Sequence, residues 1–469
     1  MIYSFIYFML FLVMVLGIWF IVPVKWRQIW LLVASYVFCI SYGIRSLCIL
    51  LCSTIISYIA GIVLDKIKYK YPVGKNALVC LWCGIILCAI PLLLGKVGGY
   101  SVFAGIGISF YILQEVGYLV DVYHEKCCVE KNIVRYALFI AFFPKLVSGP
   151  IERGNDLMKQ FYDIPGHSFN YEQAKNGILL MLWGYFQKSI IADSLSAYVT
   201  TVYDHWEGYT GGTICLASII FAFQLYADFA GYTNIAIGAA QALGVRLQKN
   251  FEQPYLADNI KDFWRRWHMS LSSWLRDYIY IPLGGSRKGD VRRYVNLMVT
   301  FIISGAWHGT GLNFIAWGML HGIFQVAGNI CSRFLKGAGK RSVAGEISKR
   351  VWVFFLVDVA WIFFRASGLG TALRMVFKII FDFSASKMAG DIFQSLHLSI
   401  IQVLSVFFSV FLLLVVDLLH EKGVSIRQLI GTKPLVVRWS CYMGIILALT
   451  FVGIQRWGIE ASNFIYTQF

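Results

Sequence analysis

The sequence predicts an all-α protein that crosses a membrane many times. Of its 469 residues, 58% are hydrophobic and only 14% are charged, and the mean hydropathy is +0.66. A water-soluble protein of this composition would have too few polar side chains to cover its apolar surface. The net charge of +16 comes from basic residues between apolar segments. That pattern is typical of cytoplasmic loops and argues against a nucleic-acid-binding protein.

Apolar segments long enough to cross the hydrocarbon core recur along the whole chain. We place them at 2–23, 28–45, 47–64, 77–95, 101–122, 133–150, 175–203, 212–244, 294–330, 351–367, 398–420 and 438–457. The first lacks the basic start and cleavage site of a signal peptide, so we expect it to be retained. The segment 294–330 can hold two short spans around its glycines, which gives roughly 11–13 transmembrane helices. We find no separate soluble domain and treat 1–469 as a single domain.

Clusters of basic residues predict the orientation of the chain. Such clusters lie at 25–27, 66–75, 246–293, 336–350 and 422–438, and they mark these loops as cytoplasmic. With two spans in the glycine-rich segment, the pattern leaves the C-terminal tail outside the cell. We therefore predict an extracellular tail formed by the last twelve residues, 458–469.

The polar segment 245–293 combines aromatic with basic side chains, as is typical of the membrane–water interface. In a single helix, four apolar side chains would share one face at spacings of three and four. These residues are Phe263, Trp267, Leu271 and Trp274. An interfacial helix explains most of the pattern, but it does not explain His268 at the edge of that face.

Two more histidines lie in the apolar stretch SGAWHGTGLNFIAWGMLHG, residues 304–322. On one continuous helix, His308 and His321 would be about 20 Å apart along the axis, so they could share a metal ion only if the helix breaks. The HExxH pattern is absent, and the CLWC motif at 80–83 has no second pair nearby. We therefore expect no metal site.

Two functional interpretations of the histidines remain open at this point, beside a structural one. Buried imidazole and carboxyl groups can relay protons in a transporter. The carboxyl candidates are Glu115, Asp121, Asp228, Asp358 and Asp417. Alternatively, a neutral imidazole can accept a proton from a hydroxyl while that oxygen attacks an acyl carbon. A buried histidine can also simply bond a neighbouring carbonyl.

Five sequence blocks carry a family resemblance. They are FFPKLVSGPIERGNDL (142–157), YADFAGYTNIAIGAAQALG (226–244), NFEQPYLADNIKDFWRRWHMSLSSWLRDYIYIPLGG (250–285), GAWHGTGLNFIAWGMLHG (305–322) and WIFFRA (361–366). Together with flanking residues, within 105–366, they resemble the core motifs of the membrane-bound O-acyltransferases. The nearest branch O-acetylates alginate and related bacterial polysaccharides, and PLGGSRKG (282–289) favours it over the more distant D-alanine transfer protein of teichoic acid modification.

The resemblance implies a fold and a set of functional residues. It implies a ring of helices around a tunnel, with interfacial or re-entrant helices. His308 matches the catalytic histidine of the family, and His268 matches its second functional polar position. The supporting tunnel residues that it implies are Asp228, His321, Trp307 and Asn313. Asn234 departs from the family pattern, because the polysaccharide branch often carries Asp there, so a charge-dependent role is not expected.

The resemblance also implies substrates, partners and a location in the bacterial plasma membrane. The expected donor is acetyl-CoA or an acyl carrier protein, used as a substrate, with no tightly bound cofactor. Its phosphates would suit Arg265, Arg266 and Arg276, although anionic lipid headgroups would suit these arginines equally well. The expected acceptor is a polysaccharide, reached through an extracellular hydrolase-like acyltransferase partner. D-alanyl transfer, a transporter, or a scaffold subunit of a polysaccharide export system are the alternatives.

The C-terminal sequence NFIYTQF resembles the Phe-x-Tyr-x-x-Phe tail of some acyltransferase partners. The resemblance predicts that Tyr466 relays the acyl group. A phenol has a pKa of about 10, so a phenyl ester is a more activated acyl donor than an ester of an aliphatic alcohol. The alternative is a short aromatic tail anchored in the membrane interface.

Overall fold

The structure, a computed structural model, describes residues 5–70, 75–96, 98–99, 105–163, 166, 169–334, 342–391 and 400–455. These residues contain helices and no strands, which confirms the predicted all-α class. Within these described ranges, four helices are long and apolar enough to cross a membrane, judged by length and composition. They are Ile44–Lys70, Lys75–Lys96, Gly211–Ala242 and Leu312–Arg333. The predicted tail 458–469, with Tyr466, lies outside the described residues.

The helices are numbered in chain order. The first ten are α1 (Phe5–Ile21), α2 (Arg27–Ile40), α3 (Ile44–Lys70), α4 (Lys75–Lys96), α5 (Ile108–Tyr123), α6 (Ile133–Ala141), α7 (Gly154–Asp163), α8 (Tyr171–Tyr185), α9 (Asp193–Asp204) and α10 (Gly211–Ala242). The others are α11 (Ile260–Arg266), α12 (Met269–Leu275), α13 (Gly289–His308), α14 (Leu312–Phe334), α15 (Val343–Arg365), α16 (Leu369–Phe381), α17 (Ala385–Gly390), α18 (Ile400–Glu421), α19 (Ile426–Gly431) and α20 (Leu435–Gln455). They form two compact units, one from 5–185 and 232–249 and the other from 186–231 and 250–455.

In the first unit, the predicted span 133–150 is wrong in its second half. Helix α6 ends at Ala141, and buried turns follow. The cause is Pro144, which has no N–H to donate to the carbonyl of Ile140 in the next helical turn. The side chain of Lys145 occupies that position, since its Nζ donates to the Ile140 oxygen at 3.1 Å and also to Gln114 Oε1. The freed carbonyl is therefore satisfied without water.

The predicted span 175–203 is also interrupted. A π-helical turn, Phe186–Ala192, separates α8 from α9. Lys188 in this turn is buried and forms ion pairs with Asp193 at 2.8 Å and with Asp228 at 2.7 Å. Since π-helical turns cost regular hydrogen bonding, they occur mostly where a side chain must be redirected for function. Here the turn brings a lysine to two buried carboxylates.

The segment 294–330 forms two helices joined as a hairpin, as predicted, and the second of them is long and apolar enough to cross a membrane. Helix α13 ends at His308, α14 begins at Leu312, and 309–311 is the connection. The glycines of the hairpin allow the two backbones to touch. A Cβ added at Gly305 would meet the carbonyl oxygen of Phe314, and one at Gly318 would meet that of Phe301, both closer than 3.0 Å. Only residues without a Cβ permit this approach.

Candidate active site

His268 lies at a break between two short helices. We expected one continuous interfacial helix through this segment, and that expectation is wrong, because α11 ends at Arg266 and α12 begins at Met269. His268 adopts φ 44° and ψ 53°, which is left-handed backbone. For a residue other than glycine, this conformation costs about 1–2 kcal/mol and persists only where the surroundings enforce it.

Asn250 supplies the hydrogen bonds that enforce the break. Its backbone oxygen accepts from the N–H of Met269 at 2.9 Å. Its side-chain oxygen accepts from the N–H of Ser270 at 3.2 Å and from the Ser270 hydroxyl at 2.9 Å. Two residues further on, the N–H of Glu252 donates to the carbonyl of Arg266 at 2.9 Å. The segment 250–252 therefore satisfies groups at both helix ends that would otherwise lack partners.

The same asparagine determines the protonation pattern of His268. Its Oδ1 lies 3.1 Å from His268 Nδ1. Because Oδ1 accepts from the Ser270 N–H, this atom is the oxygen of the amide, so Nδ1 must be the donor and Nε2 carries the lone pair. Burial lowers the pKa of His268 to about 3. The imidazole is therefore neutral at physiological pH, with a basic nitrogen at Nε2.

His308 is the last residue of α13 and lies among aromatic rings. Its ring centroid is 4.7 Å from that of Trp307, 4.9 Å from that of Trp317 and 5.3 Å from that of Phe364. The Trp307 ring also lies 6.4 Å from the His268 ring. We call His268, Trp307 and His308 the two-histidine cluster. It joins two motif histidines that are 40 residues apart in the chain.

His321 lies on the other side of Trp317. The Trp317 ring is 4.9 Å from His308 and 5.0 Å from His321. Because the chain breaks between α13 and α14, the separation of about 20 Å expected on one continuous helix does not apply. Trp264 Nε1–H donates to His321 Nδ1 at 3.3 Å, which leaves the proton of a neutral ring on Nε2. Among the residues that the structure describes, no group of three or more His, Cys, Asp or Glu could hold a metal ion.

The predicted supporting residues Asp228 and Asn313 have specific partners. Asp228 is paired with Lys188, a residue that the sequence reasoning missed. The signal was available, because a lysine inside an apolar segment needs a carboxylate partner. Asn313 Nδ2 donates to the carbonyls of Phe363 and Ala366, both at 3.1 Å. It thus holds the C-terminal end of α15 next to Phe364, which packs against His308.

The three predicted donor-binding arginines differ in exposure. The Arg266 side chain is 16% exposed and contacts Asp262 at 2.8 Å and Glu421 at 2.6 Å. The side chains of Arg265 and Arg276 are 77% and 62% exposed, and each contacts one neighbouring carboxylate. Exposed guanidinium groups remain available to an anionic ligand. The geometry therefore favours Arg265 and Arg276 over Arg266 for that role.

Comparisons with known proteins agree with the predicted resemblance. The family model described as "MBOAT, membrane-bound O-acyltransferase family" matches residues 129–365, a range that contains the two-histidine cluster. The chain is 34% identical to the probable alginate O-acetylase AlgI of Pseudomonas fluorescens, over 78% of this chain and 72% of that protein. It is 32% identical to the peptidoglycan O-acetyltransferase of Helicobacter pylori, over 74% and 73% of the two chains.

A more distant similarity also matches the prediction. The chain is 28% identical to the teichoic acid D-alanyltransferase of Streptococcus thermophilus, over 55% of this chain and 66% of that protein. The family model covers half of the sequence, and relatives above 30% identity cover more than two thirds of it. The chain therefore belongs to the membrane-bound O-acyltransferase family and is a membrane-embedded acyltransferase.

Proposed function

We propose that this acyltransferase moves an acetyl group from a cytoplasmic thioester to hydroxyl groups of a polysaccharide outside the cell. The observation that carries the proposal is the two-histidine cluster, in which two buried imidazoles each lie near the ring of Trp307. The relatives named for O-acetylation of alginate and of peptidoglycan support acetyl as the group and a polysaccharide as the acceptor.

His308 is the general base in the proposed reaction. Its ring accepts the proton of the attacking hydroxyl while the oxygen forms a bond to the thioester carbonyl carbon. The carbon–sulfur bond then breaks, and the leaving thiolate takes the proton from the imidazolium. Trp307, Trp317 and Phe364 pack against the ring, so little water can reach the thioester and compete with the acceptor.

Arg265 and Arg276 form the proposed donor subsite at the cytoplasmic side. The distribution of basic residues supports this orientation, and the exposure of the two side chains supports contact with a phosphate. Replacing either arginine by glutamine should raise KM for the thioester about tenfold, the effect of losing one charged hydrogen bond. Arg333→Gln, which removes another exposed charge, is the control. An unchanged KM in both variants would assign the two arginines to lipid headgroups instead.

The proposed route ends outside the cell with a hydrolase-like partner. Tyr466 is proposed to receive the acyl group first, because its phenyl ester would pass the group readily to a more basic hydroxyl. The observation that motivates this step is the tail sequence NFIYTQF. Mass spectrometry of the tail peptide from donor-loaded enzyme tests it. An acyl group on Tyr466 is expected, and a tail that stays unmodified while polysaccharide esters form would exclude the relay.

The central test compares cells that carry equal amounts of wild type, His308→Ala, His268→Ala or His124→Ala. His124 is an exposed histidine at the end of α5 and serves as the control. Mild alkali releases ester-linked acids from envelope and secreted polysaccharide, and mass spectrometry identifies them. We expect a loss of about 100-fold or more for His308→Ala, the contribution of a general base. Acetate would support the proposed reaction, whereas D-alanine would support teichoic acid modification.

Unchanged ester content in His308→Ala would remove the catalytic assignment. A transporter or a scaffold subunit of an export system would then be the better interpretation of the cluster. Dependence of polymer export on the proton gradient would distinguish these two, because only the transporter requires it.

A further inference from the structure

Asn250 makes more hydrogen bonds than a helix cap requires. The bond from the Ser270 N–H to its side-chain oxygen is sufficient to cap α12. The same oxygen also accepts from the Ser270 hydroxyl and from His268 Nδ1. The side chain is buried, so these bonds are shielded from competing water.

Packing alone does not orient the His268 ring. The Phe229 ring meets it edge to face, with centroids 4.7 Å apart and an interplanar angle of 88°, and Trp307 lies 6.4 Å away. Such contacts restrict the plane of the imidazole. They do not distinguish nitrogen from carbon, so an imidazole rotated by 180° about its Cβ–Cγ bond would fill nearly the same space. The hydrogen bond to Asn250 is the contact that separates the two orientations.

We propose that Asn250 is a positioning residue for acyl transfer, whose side-chain oxygen keeps the His268 proton on Nδ1 and leaves Nε2 as a hydrogen-bond acceptor in the two-histidine cluster. This inference rests on the proposed function, since it assigns His268 a role in the proposed acyl transfer. A lone pair at Nε2 accepts a hydrogen bond or a proton. His268 therefore supplies a hydrogen-bond acceptor to the substrate while His308 takes the proton, whereas the other tautomer would supply a donor.

The left-handed backbone at His268 serves the same arrangement. In a continuous helix, the N–H groups of Met269 and Ser270 would donate to the carbonyls of residues 265 and 266 instead of to Asn250. The break places the N–H of Met269 and the ring of His268 within hydrogen-bonding distance of Asn250. The strain of this backbone is offset by the hydrogen bonds that the asparagine makes across the break.

The first experiment compares the variants Asn250→Ala and Asn250→Asp by the ester assay, across a range of pH. Asn250→Ala should lower the rate about 100-fold, as expected for a misplaced catalytic group. Asn250→Asp retains an acceptor and should recover activity at alkaline pH. Its carboxylate would stabilise the imidazolium, so the acid limb of its pH profile should lie about 1–3 units above that of the wild type. A merely structural role would not move this limb.

The elements that pack against His268 also carry titratable groups that bear on the pH profile. His308 lies across Trp307, and Asp228 adjoins Phe229 in the chain but is paired with Lys188. The matched control is Asn296→Ala. Asn296 is equally buried and donates to the Gly285 carbonyl at 3.0 Å, so its loss should lower the amount of folded protein without shifting the profile.

The second experiment needs no activity and uses the full-length wild type in membranes. Nitrogen-15 NMR of labelled histidines, with His268→Gln to assign the signal, reports which ring nitrogen carries the proton. We expect a deprotonated Nε2 in His268. A protonated Nε2 would overturn the inference, and this result does not depend on whether Asn250→Ala folds. Retained activity in Asn250→Ala would also overturn it. If the His268→Ala and His308→Ala variants retain their esters as well, the proposed function itself fails.

Discussion

The close contact between α13 and α14 gives a sharp prediction about Gly318. A Cβ at this position would lie closer than 3.0 Å to the carbonyl oxygen of Phe301 and 3.0 Å from its carbon. Both obstacles are backbone atoms, so no side-chain rotation relieves the clash. Gly328, in the same helix, has no heavy atom within 4 Å of the added Cβ. The variants Gly318→Ala and Gly328→Ala therefore make the same chemical change in two different environments.

The expected magnitude follows from these distances. Ordinary contacts of a Cβ begin at 3.4 Å, so the carbonyl carbon alone requires a separation of about 0.4 Å, and the oxygen requires more. Overpacking of this kind costs about 1–3 kcal/mol. Both variants gain up to about 1 kcal/mol from the higher helix propensity of alanine. The difference between the two free energies of unfolding thus isolates the clash, at about 1–3 kcal/mol.

Thermal unfolding of the purified variants in one detergent measures this difference. Gly318→Ala should melt below the wild type and Gly328→Ala at or above it. The ester assay should show a parallel loss of activity only for Gly318→Ala. The reason is that the ring centroid of the preceding residue, Trp317, lies 4.9 Å from that of His308. Equal melting temperatures for the two variants would refute the close backbone contact between α13 and α14 at Gly318.

Three further changes test other contacts. Lys188→Met should lower the free energy of unfolding by about 3–5 kcal/mol, because it leaves Asp228 buried without this cation. Adding Asp228→Asn should restore part of the melting temperature, and no restoration would contradict the pairing. Asn313→Ala should cost about 1–3 kcal/mol through its two lost hydrogen bonds, and an unchanged melting temperature would argue against them. Burial raises the pKa of Glu152 from 4.5 to about 7. Between these two values the folded protein retains a proton that the unfolded chain releases, so the free energy of unfolding should fall as the pH rises from about 4.5 to about 7. Glu152→Gln keeps an acceptor for the Gln248 N–H and should remove this fall, and parallel curves of melting temperature against pH would contradict the assignment.

The sequence alone determined the class of the protein, the hairpin and the family. Hydropathy is a property of each residue and adds along a segment, so spans such as α3 and α10 are visible without knowledge of any contact. The glycines mark the connection of the hairpin locally. Even the early end of α6 had a local signal in Pro144, which the apolar composition around it concealed.

Only the tertiary structure decided the local geometry of the site. The spacing of apolar residues through 260–275 suits a helix, and the break at His268 depends on Asn250, 18 residues away. The three arginines look alike in the sequence, yet Arg266 is neutralised by Glu421, 155 residues further along the chain. Hydrogen bonds and ion pairs depend on distances in space, whereas periodicity records only neighbours in the chain. For this reason the sequence identified both histidines, and the fold alone brought them together across Trp307.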